Sequence, residues 1–359
     1  MRIEEELLLP AVGSANRDGR MLVIGGTAEF VRALAGTPDV SWLPLDVREA
    51  VDAPAGVAVL DDPAAPLGPD ARFAVVVFPA PPERDLGRRW LVLARNHLHL
   101  DGGGRGRGRV VLAGANATGI RSTIADGVAL FGGPFREDYR SKQRVAVFVA
   151  GDAAPDAGPA WADEPGIAEG TWTEVTLAVD GAPLPLVTAP GVFAGARLDM
   201  GTALLLDHLA VEAGERVLDV GCGAGTIGFA ALRRGAGSVV MTDVNLLAMA
   251  AVRETIRRHG LAVARAVAGD VYAGLDTSSG ERFDLIVSNP PFHQGKAVDY
   301  GMPQRLIQEA PSHLADGGRL AIVANAFLPY ERLLAERFRV VKELANTRRF
   351  KVLLAMRPR

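Results

Sequence analysis

Short apolar runs alternate with amphipathic stretches through the second half of the chain. They predict strands at 216–220, 239–242, 264–268, 283–289 and 319–324, with helices at 226–234, 246–258 and 304–314. The run at Leu285, Ile286 and Val287 is continuous, which is typical of a parallel strand covered on both faces. Alternating strands and helices of this kind predict a wound α/β domain.

The first half follows the same order. Apolar runs predict strands at 21–24, 41–47, 56–60, 73–78 and 110–116, and an amphipathic stretch predicts a helix at 86–100 that ends at the glycine-rich turn 101–104. This half too is predicted to be an α/β domain.

Segments of the two halves also match in sequence. Residues 73–82 are similar to 283–291, 99–116 are similar to 313–325, and the pair Gly25 and Gly26 stands where the second half has the loop at Gly221. The match predicts a duplicated fold, with two tandem Rossmann-like α/β domains. Because the first copy has two glycines in its loop and no Asn-Pro-Pro, we expect it to be degenerate and the second to be catalytic.

A change in composition predicts the domain boundary. Residues 151–170 are rich in Ala, Pro, Asp and Gly and lack periodicity, which is typical of an exposed linker. The first domain is therefore expected at 1–150 and the second at 171–359. The second should begin with a hairpin at 172–187 turning at Asp180-Gly181, and end in an antiparallel pair at 338–344 and 350–356.

Composition narrows the class of protein. The chain has 359 residues, enough for two domains at about 150 residues each. With 48% hydrophobic and 23% charged residues and no long apolar run, we expect no contact with a membrane. A single cysteine excludes an internal disulfide framework and a multi-cysteine metal site. The start of the chain lacks a secretory signal pattern, so a cytoplasmic protein is expected.

The net charge of −3 is not that of a global nucleic-acid binder. RNA binding would have to use local basic clusters, although such clusters are also common on solvated faces. The candidate clusters are Arg105, Arg107 and Arg109; Arg140, Lys142 and Arg144; Arg257 and Arg258; and Arg348, Arg349 and Lys351.

The strand at 283–289 ends in Asn289, Pro290, Pro291 and Phe292. Proline donates no ladder hydrogen bond and disfavours the helical region in the residue before it, so the strand must stop at Asn289. Since neither proline has an N–H, the Asn289 amide oxygen and the Pro290 carbonyl are left to accept hydrogen bonds from an amino group. Phe292 offers a flat face for a planar ring. Asn and Pro are also common at the start of ordinary loops. This strand end therefore predicts a catalytic or binding site only in combination with the other motifs of the second half.

Glycines at 221, 223, 225 and 228 join the strand at 216–220 to a helix. Glycine lets the backbone approach a ligand, and a helix start presents free N–H groups. The spacing Gly223-x-Gly225-x-x-Gly228 also satisfies the dinucleotide fingerprint, with Asp243 at a suitable distance for a ribose. A nicotinamide-dependent dehydrogenase is therefore one alternative.

Two carboxylates, Asp219 and Asp270, favour S-adenosyl-L-methionine instead, and a third, Asp243, suits the ribose of either cofactor. Asp219 is placed to meet the methionine amino group directly or through water, Asp243 to hold both ribose hydroxyls, and Asp270 to meet the adenine amino group, although Asp270 is also a common helix cap. Cys222 has no partner that would make it a nucleophile. The predicted cofactor-binding residues are Asp219, Gly221, Gly223, Gly225, Asp243, Asp270, Val271 and Asn289.

Together these motifs resemble a known family. The segments 219–225 and 289–293 resemble class I S-adenosylmethionine methyltransferases that modify exocyclic amino groups. The segments 190–193, 198–201, 322–330 and 349–352 are similar to the bacterial ribosomal RNA guanine-N2 methyltransferases of the small subunit methyltransferase C type. The resemblance covers 190–357; in the first half it extends to 119–122 and the overall layout, where that family also has a degenerate methyltransferase domain. The linker and the overall acidity are departures.

The resemblance implies transfer of a methyl group to the N2 amino group of a guanine in ribosomal RNA, with the small subunit favoured. The implied catalytic residues are Asn289 and Pro290, which accept the two N–H groups, and Phe292, which stacks on the unstacked base. The expected partner is ribosomal RNA or a ribosomal subunit, without a metal. The first domain is expected to recognise RNA and support the fold, and the oligomeric state stays open, a monomer included.

Two further alternatives remain at this point. The same tip suits any planar amino group, so the substrate could be a glutamine side-chain amide on a protein. A non-catalytic RNA-binding or assembly protein is the other alternative, and it would bind no S-adenosylmethionine.

Overall fold

A computed structural model of the chain describes residues 1–15, 19–36, 39–99, 108–133, 136–140, 142–151, 158–194, 197–276, 280–291 and 301–359. Contacts within it define two units. The first consists of Met1–Thr173 with Ala189–Gly191, and the second of Glu174–Thr188 with Val192–Arg359.

The first unit is built on a sheet that has seven strands among the described residues, in the order β3-β2-β1-β4-β5-β7-β6. Its strands are β1 Met21–Ile24, β2 Val40–Leu43, β3 Ala58–Val59, β4 Val75–Pro79, β5 Arg109–Ala115, β6 Arg136–Arg140 and β7 Gln143–Val149. Pairing is parallel except where β7 meets β5 and β6. Its helices are α1 Ile3–Ala15, α2 Ala28–Leu34, α3 Val47–Val51, α4 Arg84–His97 and α5 Ile120–Phe131.

The second unit begins with the predicted hairpin, β8 Thr173–Val179 and β9 Ala182–Thr188, which forms a sheet of its own. The main sheet, again of seven strands within the described ranges, has the order β12-β11-β10-β13-β14-β16-β15. Its strands are β10 Arg216–Val220, β11 Ser238–Asp243, β12 Ala264–Ala268, β13 Phe283–Ser288, β14 Leu314–Asn325, β15 Phe338–Asn346 and β16 Phe350–Pro358. Its helices are α6 Met200–His208, α7 Thr226–Arg233, α8 Leu246–His259, α9 Gly301–His313 and α10 Tyr330–Arg337.

The two main sheets share one strand order once each is numbered within its own unit, so the predicted fold class is confirmed. In the second unit, β10 lies inside the sheet and pairs in parallel with both β11 and β13. Leu285, Ile286 and Val287 have no exposed surface, as their continuous apolar run predicts. The carboxyl ends of β10, β11 and β13 therefore meet at one edge of the sheet.

Several elements carry no clear sequence signal and were not predicted. Helix α1 contains Pro10 and Gly13, which weaken a helical pattern, although Leu8 and Val12 on it are buried. Strand β6 is exposed along its whole length and lacks an apolar run.

The predicted turn at 316–318 lies inside β14, where the register with β13 shifts between Phe283 and Leu285. The predicted turn at 101–104 lies outside the described residues.

Residues 158–173, which include the end of the predicted linker, belong to the first unit. Arg89 on α4 donates from Nη1 to the Gly166 carbonyl at 2.6 Å, and His97 Nε2 lies 2.8 Å from the Glu169 carboxylate. Residues 152–157 lie outside the described residues, so an exposed linker there stays a prediction.

Among the described helices, none has the length and apolar character needed to cross a bilayer.

Helix α1 is tied to the rest of the first unit by Glu5, whose carboxylate is fully buried. It accepts hydrogen bonds from the Thr27 backbone N–H at 2.8 Å and from Thr27 Oγ1 at 2.9 Å. Glu5 Oε2 also accepts the Arg2 N–H at 2.7 Å. We expect Glu5→Ala to lower the free energy of unfolding of the first unit by about 2 kcal/mol, because all three hydrogen bonds to this carboxylate are lost.

The four tryptophans of the chain lie within Met1–Thr173, so urea unfolding followed by tryptophan fluorescence reports on the first unit. Glu6→Ala removes an exposed carboxylate from the same helix and is the control. Equal midpoints for the two variants would contradict the assignment of this role to Glu5.

Candidate cofactor and substrate site

The edge formed by β10, β11 and β13 gathers the residues predicted from the sequence. Asp219 is the penultimate residue of β10, Asp243 is the last residue of β11, and Asn289 follows β13 directly. The pairing of Val220 with both Thr242 and Ser288 sets these positions side by side. Asn289 and the glycine loop after β10 are consequently neighbours.

The glycine loop bends sharply between β10 and α7. Gly223 has a φ of 54°, in the left-handed region, and its N–H donates to Asp243 Oδ2 at 2.9 Å. A Cβ on Gly228 would lie 2.7 Å from Met241 Cγ, so this glycine allows α7 to pack closely against β11. The third glycine of the fingerprint thus has a packing role that does not depend on which nucleotide cofactor is bound.

Asp219 has a buried carboxylate oxygen that no group among the described residues satisfies with a hydrogen bond. The residue has no exposed surface, and Oδ2 accepts a hydrogen bond from the Gly228 N–H at 2.9 Å. Its other oxygen, Oδ1, is buried with no partner among the described residues. Burial raises the pKa of Asp219 to about 7, the Gly228 N–H opposes this rise, and the negative charge of Asp243 adds to it. A cationic amino group would satisfy this oxygen, so Asp219 fits the predicted methionine end of S-adenosylmethionine.

Asp243 fixes the loop from the neighbouring strand. Besides the bond from Gly223 to Oδ2, Oδ1 accepts the Asn245 N–H at 2.9 Å. A carboxylate oxygen can accept more than one hydrogen bond, which is why this residue type suits hydroxyl groups. Its role toward a ribose stays a prediction.

Asp270 and Val271 follow β12. Asp270 Oδ1 accepts a hydrogen bond from Arg305 Nη2 of α9 at 2.6 Å, a partner that the sequence did not suggest. Val271 is buried with a φ of 61°, and its carbonyl accepts the Thr242 hydroxyl at 3.2 Å. Left-handed backbone at a β-branched residue is strained, and such strain is found preferentially at binding sites.

The Asn289 amide has a defined orientation. Nδ2 donates to Asp199 Oδ2 at 3.0 Å and to Thr202 Oγ1 at 2.9 Å. Asp199 is also the N-cap of α6, where Oδ2 accepts the Thr202 N–H. Gly201 permits this approach, since a Cβ there would lie 3.1 Å from Asp199 Oδ2 and 3.5 Å from the Asn289 amide. Within the described part of the chain, both side-chain hydrogen bonds of Asn289 use Nδ2, which leaves Oδ1 as its acceptor.

The remaining predicted residues are only partly placed. Pro290 is buried and Pro291 is exposed, whereas Phe292 and His293 lie outside the described residues. Burial raises the pKa of the Cys222 thiol, which agrees with the prediction that it is not a nucleophile. Thr202 and Arg305 were not predicted as partners of the site, because each acts through a contact distant in sequence.

The corresponding edge of the first unit is filled by its own side chains. The Glu5 carboxylate accepts the Thr27 N–H, and Glu49 accepts the Ala28 N–H at 2.8 Å, at the start of α2. Trp42 Nε1 donates to the Gly25 carbonyl at 2.8 Å, and a Cβ on Gly25 would lie 3.4 Å from the Trp90 ring. The Gly25 carbonyl and the Thr27 and Ala28 N–H groups of this loop are therefore already bonded within the protein.

The predicted basic clusters differ in how free they are to bind RNA. Arg257 and Arg258 both pair with Glu254, and Lys351 is 4% exposed and pairs with Glu331. Two other members, Arg105 and Arg107, lie outside the described residues.

Among the described side chains, no group of three or more His, Cys, Asp and Glu residues is arranged to hold a metal.

The chain is similar to known proteins in sequence and in structure. The family model "Methyltransferase small domain" matches residues 183–354. A ribosomal RNA small subunit methyltransferase C from Chromohalobacter salexigens is 46% identical over 195 residues, 53% of this chain and 56% of that protein. The enzyme of that name from Pseudomonas entomophila is 37% identical over 268 residues, 74% of each chain.

The chain belongs to the ribosomal RNA small subunit methyltransferase C family. Over its whole length it is also similar to a solved structure from T. Thermophilus, a 16S rRNA N2 G1207 methyltransferase (RsmC) in complex with AdoMet and guanosine. The TM-score is 0.80 at 27% identity, with 99% of this chain and 92% of that chain covered.

The chain spans about half the length of several of the small subunit methyltransferase C relatives that it matches. One of these, from Haemophilus influenzae, is 44% identical over 47% of this chain and 50% of the relative. Membership of this family gives no support to a nicotinamide-dependent dehydrogenase. The family prediction made from the motifs is confirmed.

Because the pKa of Asp219 is about 7, we expect binding of S-adenosylmethionine to be coupled to loss of a proton. A cationic amino group favours the carboxylate, and below about pH 7 that carboxylate must first lose its proton. The affinity should therefore rise about 10-fold between about pH 6 and pH 8, with about half a proton released from Asp219 at pH 7.

Calorimetry in buffers of different ionisation enthalpy measures this proton release. Asp219→Asn should remove its pH-dependent part, whereas Asp284→Asn, which alters a carboxylate paired with Arg216, should retain it. The same proton release in the wild type and in Asp219→Asn would count against the assignment.

Proposed function

We propose that the second unit transfers a methyl group from S-adenosyl-L-methionine to the exocyclic N2 amino group of a guanine in small-subunit ribosomal RNA. The orientation of the Asn289 amide carries this proposal, because Nδ2 is held by Asp199 and Thr202 and Oδ1 is left to accept an amino group. The names of the relatives and of the T. Thermophilus structure support the choice of ribosomal RNA and guanine.

In this proposal, the glycine loop and the carboxylates beside it hold the cofactor. S-adenosylmethionine supplies an electrophilic methyl group when it is bound. Asp219 faces the amino group of its methionine part, Asp243 the ribose hydroxyls, and Asp270 with Val271 the adenine. The backbone at Gly221, Gly223 and Gly225 allows close approach, and the unsatisfied Oδ1 of Asp219 supports this arrangement.

The protein contributes mainly by orientation. The lone pair of a guanine N2 is delocalised into the ring, so the amino group must be turned to direct it at the methyl carbon. Asn289 Oδ1 and the Pro290 carbonyl accept its two N–H groups, and Phe292 is proposed to stack on the base. A bond forms from N2 to the methyl carbon as the sulfur–carbon bond breaks, and the methylated nitrogen, now acidic, loses its proton to water. Alignment of this kind can contribute roughly 7–11 kcal/mol.

The remaining assignments follow from this function. We propose ribosomal RNA or a ribosomal subunit as the partner and the cytoplasm as the location. For the first unit we propose RNA recognition and support of the fold, which agrees with the filled edge of its sheet.

Transfer of tritiated methyl groups to ribosomal RNA and ribosomal subunits from a strain lacking the gene tests the reaction. The wild type should produce N2-methylguanosine, and Asn289→Ala should lower kcat at least about 10²-fold, because the amino group loses an acceptor that aligns it. Calorimetry checks that the variant still binds S-adenosylmethionine. Cofactor binding without label in RNA, but with label in protein, would instead indicate a glutamine amide substrate.

The partners of Asn289 give a second prediction. Thr202→Val keeps the shape of the side chain but removes the hydroxyl that accepts from Asn289 Nδ2, and Asp199→Ala removes the other acceptor. Each should lower kcat by about 10-fold or more while the affinity for S-adenosylmethionine changes little, since the amide can then rotate.

Asp207→Ala alters an exposed carboxylate on the same helix and provides the matched control. Thermal unfolding separates this effect from the loss of the α6 cap in Asp199→Ala, which costs about 1 kcal/mol. An unchanged kcat in both variants would show that Asn289 is oriented by other means.

A further inference from the structure

We propose that Phe327, Arg348 and Arg349, here called the turn surface, bind the single-stranded RNA that flanks the target guanine. Phe327 follows β14, and the two arginines lie in the turn between β15 and β16. This inference rests on the proposed function and assigns to it an RNA-contacting surface beyond the residues that hold the base.

The strand register places the turn surface beyond the same edge of the sheet as Asn289. Ser288 pairs with Ile322, so Asn289 is level with Val323, and β14 continues for two more residues to Asn325. Asn325 in turn pairs with Phe350 of β16. At about 3.3 Å per residue and about 4.8 Å between strands, the turn begins roughly 7 Å beyond Asn289 and about 10 Å to one side. A strand of RNA entering the site would cover this distance within neighbouring nucleotides.

The two loops that form the turn surface are bonded to each other. The Ala326 N–H donates to the Arg349 carbonyl at 2.9 Å, and the Thr347 N–H donates to the Phe350 carbonyl at 2.7 Å. Leu328, next to Phe327, is 1% exposed and anchors the first loop in the core. The loops therefore present their outer side chains from a fixed backbone.

The Phe327 side chain is 69% exposed, whereas Leu328 beside it is buried. An aromatic ring held in water at the edge of a site gains by stacking on a base, and this contact suits any sequence because every base has a planar face. Base stacking by aromatic side chains is a usual mode of single-stranded RNA recognition.

Charge on the turn surface complements a phosphate backbone. Arg348 and Arg349 are exposed, and within the described residues neither pairs with a carboxylate; the Arg349 guanidinium lies over the Phe350 ring at 5.3 Å from its centre. Two acidic side chains on adjoining elements have other partners: Glu331 pairs with Lys351, and Glu343 accepts a hydrogen bond from Asn346. Arg257 and Arg258 differ in this respect, since both pair with Glu254 and Arg258 also pairs with Glu174.

The test measures methyl transfer to small ribosomal subunits and to their RNA freed of protein, both taken from a strain lacking the gene. Binding of a labelled single-stranded RNA is measured at several salt concentrations. The double variant Arg348→Ala and Arg349→Ala should raise KM and reduce the slope of log affinity against log salt by about 1.4, because two phosphate contacts are lost. Phe327→Ala should weaken RNA binding about 5-fold or more without changing that slope. Neither should alter the affinity for S-adenosylmethionine.

Controls isolate the surface from general effects of charge and exposure. Arg253→Ala removes an exposed arginine from α8, and Val263→Ala shortens an apolar side chain that is 52% exposed. Replacing Arg348 and Arg349 by lysine should restore most of the salt slope, and thermal unfolding should show that each variant is folded.

The outcomes separate this inference from the proposed function. If the wild type methylates ribosomal RNA and the turn-surface variants behave like the controls, the inference is overturned and the proposed function stands. If the wild type binds S-adenosylmethionine but methylates no RNA, both are overturned. Raised KM with the expected salt slopes, and kcat within about 2-fold of the wild type, would support it.

Discussion

Parallel pairing of β10 with both β11 and β13 is the constraint on which the site depends. Because the three strands run in one direction, the residues that end them share one edge, although they are up to 70 positions apart in the chain. The buried side chains of these strands fix the register. A slip of one residue would exchange the faces of every side chain on the strand and would carry Asn289 away from the glycine loop.

Carboxylates then satisfy the backbone that this edge exposes. Asp219 accepts from the Gly228 N–H, Asp243 from Gly223 and Asn245, and Asp199 from Thr202 and Asn289. These bonds position the loop and the strand tip before any ligand arrives, so little rearrangement is needed on binding. Asp219 is the exception, since one of its oxygens is buried and unbonded among the described residues. An unsatisfied buried acceptor is destabilising, and a ligand that supplies a cation removes that cost.

The sequence predicts the parts of this arrangement that depend on local pattern. The strands that bear the candidate site are apolar runs, interrupted by Asp219 in β10 and Asp284 in β13, and glycine, aspartate and proline mark their ends. The position of Asp219, Asp243 and Asn289 at one edge of the sheet could therefore be predicted from the sequence, whereas their roles stay predictions. Contacts between residues distant in sequence could not. The donation of Asn289 Nδ2 to Thr202, the pairing of Asp270 with Arg305, and the burial of Lys351 against Glu331 follow from packing in three dimensions. Helix α1 was missed for a related reason, because Pro10 and Gly13 weaken its local signal and the buried contacts of Glu5 and Leu8 hold it in place.

The first unit separates what the fold requires from what the chemistry requires. Its β4 is as fully buried as β13, yet Pro79 stands at the position that corresponds to Asn289, and the Ala80 N–H is used in a hydrogen bond to the Ala113 carbonyl. Proline has no side-chain amide, so this tip lacks the acceptor that Asn289 offers. In the loop after β1, Glu5 and Glu49 accept the N–H groups at the start of α2 that a ligand would otherwise meet. The sheet order is preserved without either feature, because it depends on apolar strands and their register. The fold therefore does not depend on the polar groups at the strand ends, to which the proposed function assigns cofactor and substrate binding.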